Sequence, residues 1–224
     1  MLVILFIAGM IYYLWQLKLN RIQERFRLRN KIAMDLHDEI GSTLTSINIL
    51  SKISKNSIHK SPLQAAEMMD QINTQSKTIQ QNMSDIVWAI RPDNDKLENL
   101  LIRMREYTAQ TLEVQLIKIT FDVDETLLNK SLSLEQRKEL LLIFKEAINN
   151  IVKHAGATEV LVRLSKQQKM LQLEIQDNGH WSDLKKTTGT GVRSMQQRAE
   201  SMGAGLKMEV SAQGTNITLT MPLT

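Results

Sequence analysis

Cysteine is absent from this chain of 224 residues. Its absence excludes a disulfide scaffold, a thiolate metal site and a cysteine nucleophile, and fits a catalytic part in a reducing compartment. Aromatic residues make up 4% against 42% hydrophobic residues in all, so aliphatic side chains and methionine must fill the core. An acidic surplus is missing too: the net charge is +4, and much of it is local, at Lys18, Arg21, Arg25, Arg27, Arg29 and Lys31 with one Glu among them. A nucleic-acid-binding face would need that surplus elsewhere as well, so no direct nucleic-acid partner is expected. Neither an internal repeat nor a low-complexity segment occurs.

Long uncharged runs are equally scarce, and the exception is "MLVILFIAGMIYYLWQL", the first 17 residues. At 1.5 Å per residue it spans roughly 26 Å, near the lower limit for crossing a bilayer. Tyr12, Tyr13 and Trp15 lie toward its basic end, where an interfacial aromatic belt would fall. No basic segment precedes the run and no small-x-small cleavage site follows before Lys18, which argues against a signal peptide. The expectation is a transmembrane helix over residues 1–19, with the basic flank keeping everything after it in the cytoplasm. A chain that begins inside its own membrane helix reads as the end of a longer receptor.

Residues 20–53 contain no proline and one glycine, Gly41. Ala33, Leu36, Ile40, Leu44 and Ile47 recur at steps of three and four, an apolar helical stripe, with His37 at its border. "SKNSIHKSP" over 54–62 reads as a polar turn. A second helix over about 63–90 carries a heptad seam through Met69, Ile72, Ser76, Ile79, Met83, Ile86 and Ile90. Two helices with one stripe each bury both better in pairs of hairpins, so a homodimeric four-helix bundle over residues 20–92 is expected. Pro92 stops the second helix, and a short helix over about 95–113 follows.

Residues 93–224 change character. "IKITFDV" alternates like a strand. "SLEQRKELLLIFKEAINNIVKHAGA" reads as a long helix, with Ser133 as N-cap and Gly156 as its stop. Two hairpins, "TEVLVRLSKQQKMLQLEIQDNG" and "LKMEVSAQGTNITLTMPL", flank a Gly-rich loop and helix, "TGTGVRSMQQRAESMGAG". Without regular βαβ alternation, the fold class is α+β: a mixed sheet with helices on one face.

Chemistry-bearing residues fall in three places. Glu146, Asn150 and His154 stand four residues apart on one face of the long helix, beside Asn149 and Lys153. Such a face, opposite an apolar one, can hold a hydrated Mg²⁺, which takes a few protein oxygens plus phosphates and water. Asp177 ends a strand as a fixed acceptor for an exocyclic amine, and Gly179 allows close backbone approach to a flat ring. Gly189, Thr190 and Gly191 precede a helix whose N-terminus favours an anion.

This order, Glu146 and Asn150 on a helix, Asp177-x-Gly179 after a strand and Gly189-x-Gly191 opening a helix, resembles the ATP-binding domain of the GHKL superfamily. The resemblance implies ATP as cofactor, Asn150 as a Mg²⁺ ligand, Asp177 as the adenine contact and Gly179 as a shaper of the adenine pocket. Gly189 and Gly191 would shape a phosphate lid, Lys153 and His154 would touch pocket or lid, and Glu146 would polarise the reacting group or support the metal shell. With "LHDEIGSTL" in the preceding hairpin, the chain resembles sensor histidine kinases of the subfamily that includes nitrate/nitrite sensors and a membrane-fluidity thermosensor. "KIAMDLHDEIGSTL" and "DIVWAIRPDND" are also similar to the C-terminal portions of large sensors of Bacteroidetes-type bacteria.

The resemblance implies autophosphorylation of His37, with Asp38 accepting the other ring N–H and fixing the tautomer. Transfer to an aspartate of a response regulator follows, the regulator being a DNA-binding transcription factor. It also implies a protein crossing the inner membrane once within this stretch, with catalytic domains in the cytoplasm. One departure is Ser42, where many relatives have a glutamine that helps dephosphorylate the regulator, so strong phosphatase activity is not expected.

Overall fold

A computed structural model describes residues 2–58, 60–180 and 190–223. The side chains of residues 24–39, His37 and Asp38 among them, and of Ser42 and Thr190 lie outside that description, as does all of Gly189. The chain divides into two compact units, Met1–Val87 and Trp88–Thr224.

The first unit is built on α1 (Leu2–Ser57), one uninterrupted helix where the sequence suggested a membrane segment followed by a separate helix. No proline interrupts it, and its two glycines, Gly9 and Gly41, each cost only about 1 kcal/mol. Among the described residues no helix is long and apolar enough to cross a membrane. The membrane span expected over residues 1–19 therefore gains no support from the fold. The helix also runs four residues into the expected turn. There Ser61 N–H donates to the Ser57 carbonyl at 2.8 Å, and α2 (Pro62–Ile90) begins on a proline, at a position where no N–H is needed. The fully buried Ser54 hydroxyl donates to the Ala65 carbonyl at 3.1 Å and pins the hairpin.

On α2 the sheltered row is Ala65, Met68, Ile72, Gln75, Ile79, Asn82 and Ile86. It shares Ile72, Ile79 and Ile86 with the expected seam but leaves Met69 and Met83 50% and 41% exposed. Three-and-four stepping admits two adjacent rows, and the hairpin uses the one whose small Ala65 fits against Ser54.

The second unit holds α3 (Leu97–Thr111), β1 (Lys118–Val123), α4 (Leu134–Asn150), β2 (Glu159–Gln167), β3 (Met170–Asp177), α5 (Thr190–Ser201), β4 (Gly205–Ser211) and β5 (Gly214–Pro222). Ser133 does cap α4: its hydroxyl accepts from Gln136 N–H at 3.1 Å, and the Gln136 side chain accepts from Ser133 N–H at 2.9 Å. After Asn150 the helix widens into a π-turn over Ile151–Ala155 and stops at Gly156, at φ +58°.

The sheet order is β1-β2-β3-β5-β4, with β1 parallel to β2 and the other pairs antiparallel. Val160, Val162 and Leu164 of β2, Leu171, Leu173 and Ile175 of β3, and Ile217, Leu219 and Met221 of β5 are all buried. They form one core with Leu140, Phe144 and Ile148 of α4 and Met195 and Ala199 of α5. Each Val, Leu, Ile, Phe or Met side chain among them contributes about 1.5–3 kcal/mol of burial. Met202 also lies in this core, while Met208 and Trp88 pack half-buried at its margin. The opposite face of the sheet is polar, with Arg163 bridging Asp122 at 2.8 Å and Glu174 at 3.4 Å. The expected α+β sandwich is thus the observed one.

Candidate functional site

Asp177 is the last residue of β3 and is buried, at 2% exposure. Its Oδ1 accepts from Gly179 N–H at 2.8 Å. Burial pushes the carboxyl up from its ordinary range, and hydrogen bonds from Gly179 and Thr215 pull it back. With Oδ1 bonded to Gly179 and Thr215 beside the carboxylate, its second oxygen still has lone-pair capacity to accept from a ligand donor.

Two close backbone approaches shape this corner. A Cβ on Gly179 would run into the carbonyl of Ala155, and one on Gly214, at φ +130°, into the carbonyl of Asp177. His180 is exposed, and its backbone N–H donates to Ala155 O at 2.7 Å. The π-turn after α4 is thereby docked onto the segment after β3. The Asn178 side chain is engaged by the start of β2. Its Oδ1 accepts from the N–H groups of Thr158 and Glu159 at 2.9 and 3.0 Å, and its Nδ2 donates to the Thr158 hydroxyl at 2.9 Å. It fastens the loop to the start of β2 and so fixes where Asp177 ends.

The second corner lies back along α4. A Cβ on Gly191 would strike the Glu146 carboxylate, with Asn150 Nδ2 next at 3.6 Å. The first turn of α5 therefore sits directly against the two oxygen-bearing side chains of α4. Arg198 of α5 helps hold it there, donating to Glu139 of α4 at 2.8 Å, while Lys138 meets the same carboxylate at 3.1 Å. Ala155 lies five residues beyond Asn150, at the end of the π-turn. Both corners thus belong to one continuous stretch of chain.

Lys153 is exposed, His154 is half-buried on the π-turn, and the backbone of Thr190 opens α5. The backbones of His37 and Asp38 are helical within α1; their side chains, and the whole of Gly189, lie outside the described residues. Among the described residues, no three of His, Cys, Asp or Glu gather as a metal cage. A metal held by Asn150 and Glu146 would take its other ligands from phosphate and water, which suits Mg²⁺.

Three contributors escaped the sequence reading. Gly214 and Thr215 come from β5, and their only sequence signal is "GTN". Tyr107 of α3 donates its hydroxyl to Asn149 Oδ1 at 2.7 Å, and Lys145 Nζ lies 4.5 Å from its ring centre. That contact turns Asn149 toward α3 and leaves Asn150 for the site.

Residues 29–95 match the family model described as histidine kinase, and residues 108–219 the model for a histidine kinase-like ATPase domain. Over 207 residues the chain is 28% identical to the sensor histidine kinase DesK of Bacillus subtilis, covering 91% of this chain and 54% of that protein. The sensor histidine kinase LiaS of the same organism is 25% identical over 211 residues, covering 93% and 57%. The signal transduction histidine-protein kinase/phosphatase UhpB of Salmonella typhimurium is 27% identical over 219 residues, covering 91% and 41%. The chain spans about half the length of the relatives it matches. In fold it is similar to the histidine kinase domain of a blue-light activated kinase from Erythrobacter litoralis, with TM-score 0.53, 17% identity and 80% and 94% of the two chains covered. It is also similar to the histidine kinase AdeS of Acinetobacter baumannii, with TM-score 0.56, 9% identity and 84% and 98% covered.

Proposed function

The chain belongs to the sensor histidine kinases, and on that premise we propose that it moves the γ-phosphoryl group of ATP to His37, then to an aspartate of a response regulator. The observation that carries this is the packing of two glycines, from two different segments, against α4 and the π-turn that ends it. Gly191 brings α5 against Glu146 and Asn150, while Gly179 brings the segment after Asp177 against Ala155. One corner suits a flat base with an exocyclic amine, and the other suits a metal–phosphate group.

Bound ATP with Mg²⁺ would supply the phosphoryl group and neutralise charge on it; the chain's own residues position and receive it. The Asp177 carboxylate accepts from the base, and Gly179, packed against Ala155, holds the segment beside the ring in place. Asn150 and Glu146 offer hard oxygen ligands, and the N-terminal turn of α5 faces the same region. A ring nitrogen of His37 forms the P–N bond as the bond to the ADP oxygen breaks. Asp38 holds the other ring N–H and stabilises the positive charge that develops. Ser42 is a poorer water-orienting group than an amide, so regulator dephosphorylation is weak.

Exposed Leu44, Ile53, Met69, Met83 and Val87 on the first unit support a homodimer over residues 20–92, with 93–224 as the catalytic domain. Exposed Phe6, Ile11, Tyr12, Tyr13 and Trp15, followed by the basic run, support attachment to the inner membrane with the catalytic part cytoplasmic. The regulator is proposed to be a DNA-binding transcription factor.

Incubation of the purified chain with γ-labelled ATP tests the reading. Acid-labile, base-stable label that disappears in His37→Gln supports it. Acid-stable label, or free phosphate without labelled protein, contradicts it.

A further inference from the structure

Arg137 serves no role in the site described, yet its side chain is only 3% exposed. It sits in the first turn of α4 and reaches back along the sequence. Nη2 donates to the Ala89 carbonyl at 2.8 Å; Nη1 donates to the Leu132 carbonyl at 3.3 Å and to the Asp95 carboxylate. Ala89 lies in the last turn of α2, where carbonyls lack intrahelical partners. The neighbouring Trp88 carbonyl is taken by Asn94 Nδ2 at 2.8 Å.

The segment beyond is strapped as firmly. Leu132 N–H donates to Asp95 O at 2.8 Å and Leu97 N–H to Lys130 O at 2.9 Å, while Asn99 Nδ2 donates to Asp93 O at 2.8 Å. The "RPDND" turn is therefore not a loose tether, and the compact second unit begins before it, at Trp88.

Among the described residues Arg137 Nε finds no partner. A buried ion pair is weak evidence of stabilisation, because apolar side chains of similar size often replace one without loss. What an apolar replacement could not do is hold Ala89 and Asp95 in one fixed geometry. The same helix presents Glu146 about two and a half turns further on.

We infer that Arg137 is a positioning residue that makes the exit turn of α2 a rigid part of the nucleotide-binding unit, so that movement of α2 is carried into α4 and its Glu146 and Asn150. The inference rests on the kinase reading for its consequence, but not for its geometry.

Arg137→Met and Asp95→Asn in the full chain test it by three readouts: hydrogen exchange over residues 88–97, affinity for Mg·ATP by calorimetry, and the initial rate of His37 labelling. Exchange is expected to rise roughly tenfold and labelling to fall roughly tenfold, with affinity within about twofold of the parent. A merely structural arginine would lower affinity and labelling together, and that result overturns the inference. Unchanged exchange, or an unchanged labelling rate, also overturns it. Should Arg137→Met fail to fold, Asp95→Asn, which removes one charge at a part-exposed position, decides alone. If the parent chain never labels His37, the kinase reading fails, while the exchange arm still judges the clamp.

Discussion

Replacing Asp177 by asparagine should separate stability from binding. Burial raises the carboxyl's pKa above its ordinary value. Below the unfolded value both states are protonated and the buried site costs nothing. As pH rises through the folded pKa, stability is lost, because the folded state must hold the charge. An asparagine there would carry no charge, and its Oδ1 would still accept from Gly179 N–H as Asp177 Oδ1 does at 2.8 Å. The nucleotide-free variant should therefore melt no lower than the parent at neutral pH, and the difference should shrink toward about pH 4 or below. Binding goes the other way. With Oδ1 committed, the variant turns an NH₂ toward the ligand where the parent offers an oxygen, so a donor meets a donor. Loss of one hydrogen bond to a charged group costs about 1.5–3 kcal/mol, a roughly ten- to hundredfold weaker Kd. Thermal melts across pH without nucleotide, paired with calorimetric titration of Mg·ADP, read both effects. Parent-like affinity would refute the assignment of Asp177 to the base; a clearly lower melting temperature at neutral pH would refute the charge argument.

The two pocket glycines should fail in different ways. Gly179→Ala forces a Cβ into backbone at Ala155 and should cost about 1–3 kcal/mol of stability by chemical denaturation, as overpacking does. Gly191→Ala meets the far end of the Glu146 side chain instead; its melting temperature should hold while His37 labelling drops severalfold. Ser133→Ala removes the α4 capping box and should cost about 1 kcal/mol, or roughly 3–5 °C by calorimetry, with Kd for nucleotide unchanged.

Features set by one stretch of chain were legible in the sequence. The Ser133 cap, the Gly156 stop and the strand ending in Asp177 all depend on local pattern. Features set by packing between distant segments were not. The inward row of α2 departs by one position from the expected seam at Met69 and Met83, because heptad stepping does not say which of two rows a small Ala65 will favour. The π-turn after Asn150 leaves no mark in the residue pattern. Gly214 matters through the Asp177 carbonyl on a neighbouring strand, Tyr107 through Asn149 on a neighbouring helix, and Arg137 through Ala89 and Asp95. None of these partners is close in sequence. The start of the chain reads as a helix of its own, because charge pattern alone cannot show that α1 runs on unbroken to Ser57.

Mapping the phosphorylated residue by mass spectrometry at neutral to basic pH, after brief incubation with Mg·ATP, tests the central claim most directly. The account predicts a single modified peptide carrying phosphate on His37, absent when Asn150 is replaced by alanine. Phosphate on His154, on His180 or on any hydroxyl, with His37 unmodified, would contradict it.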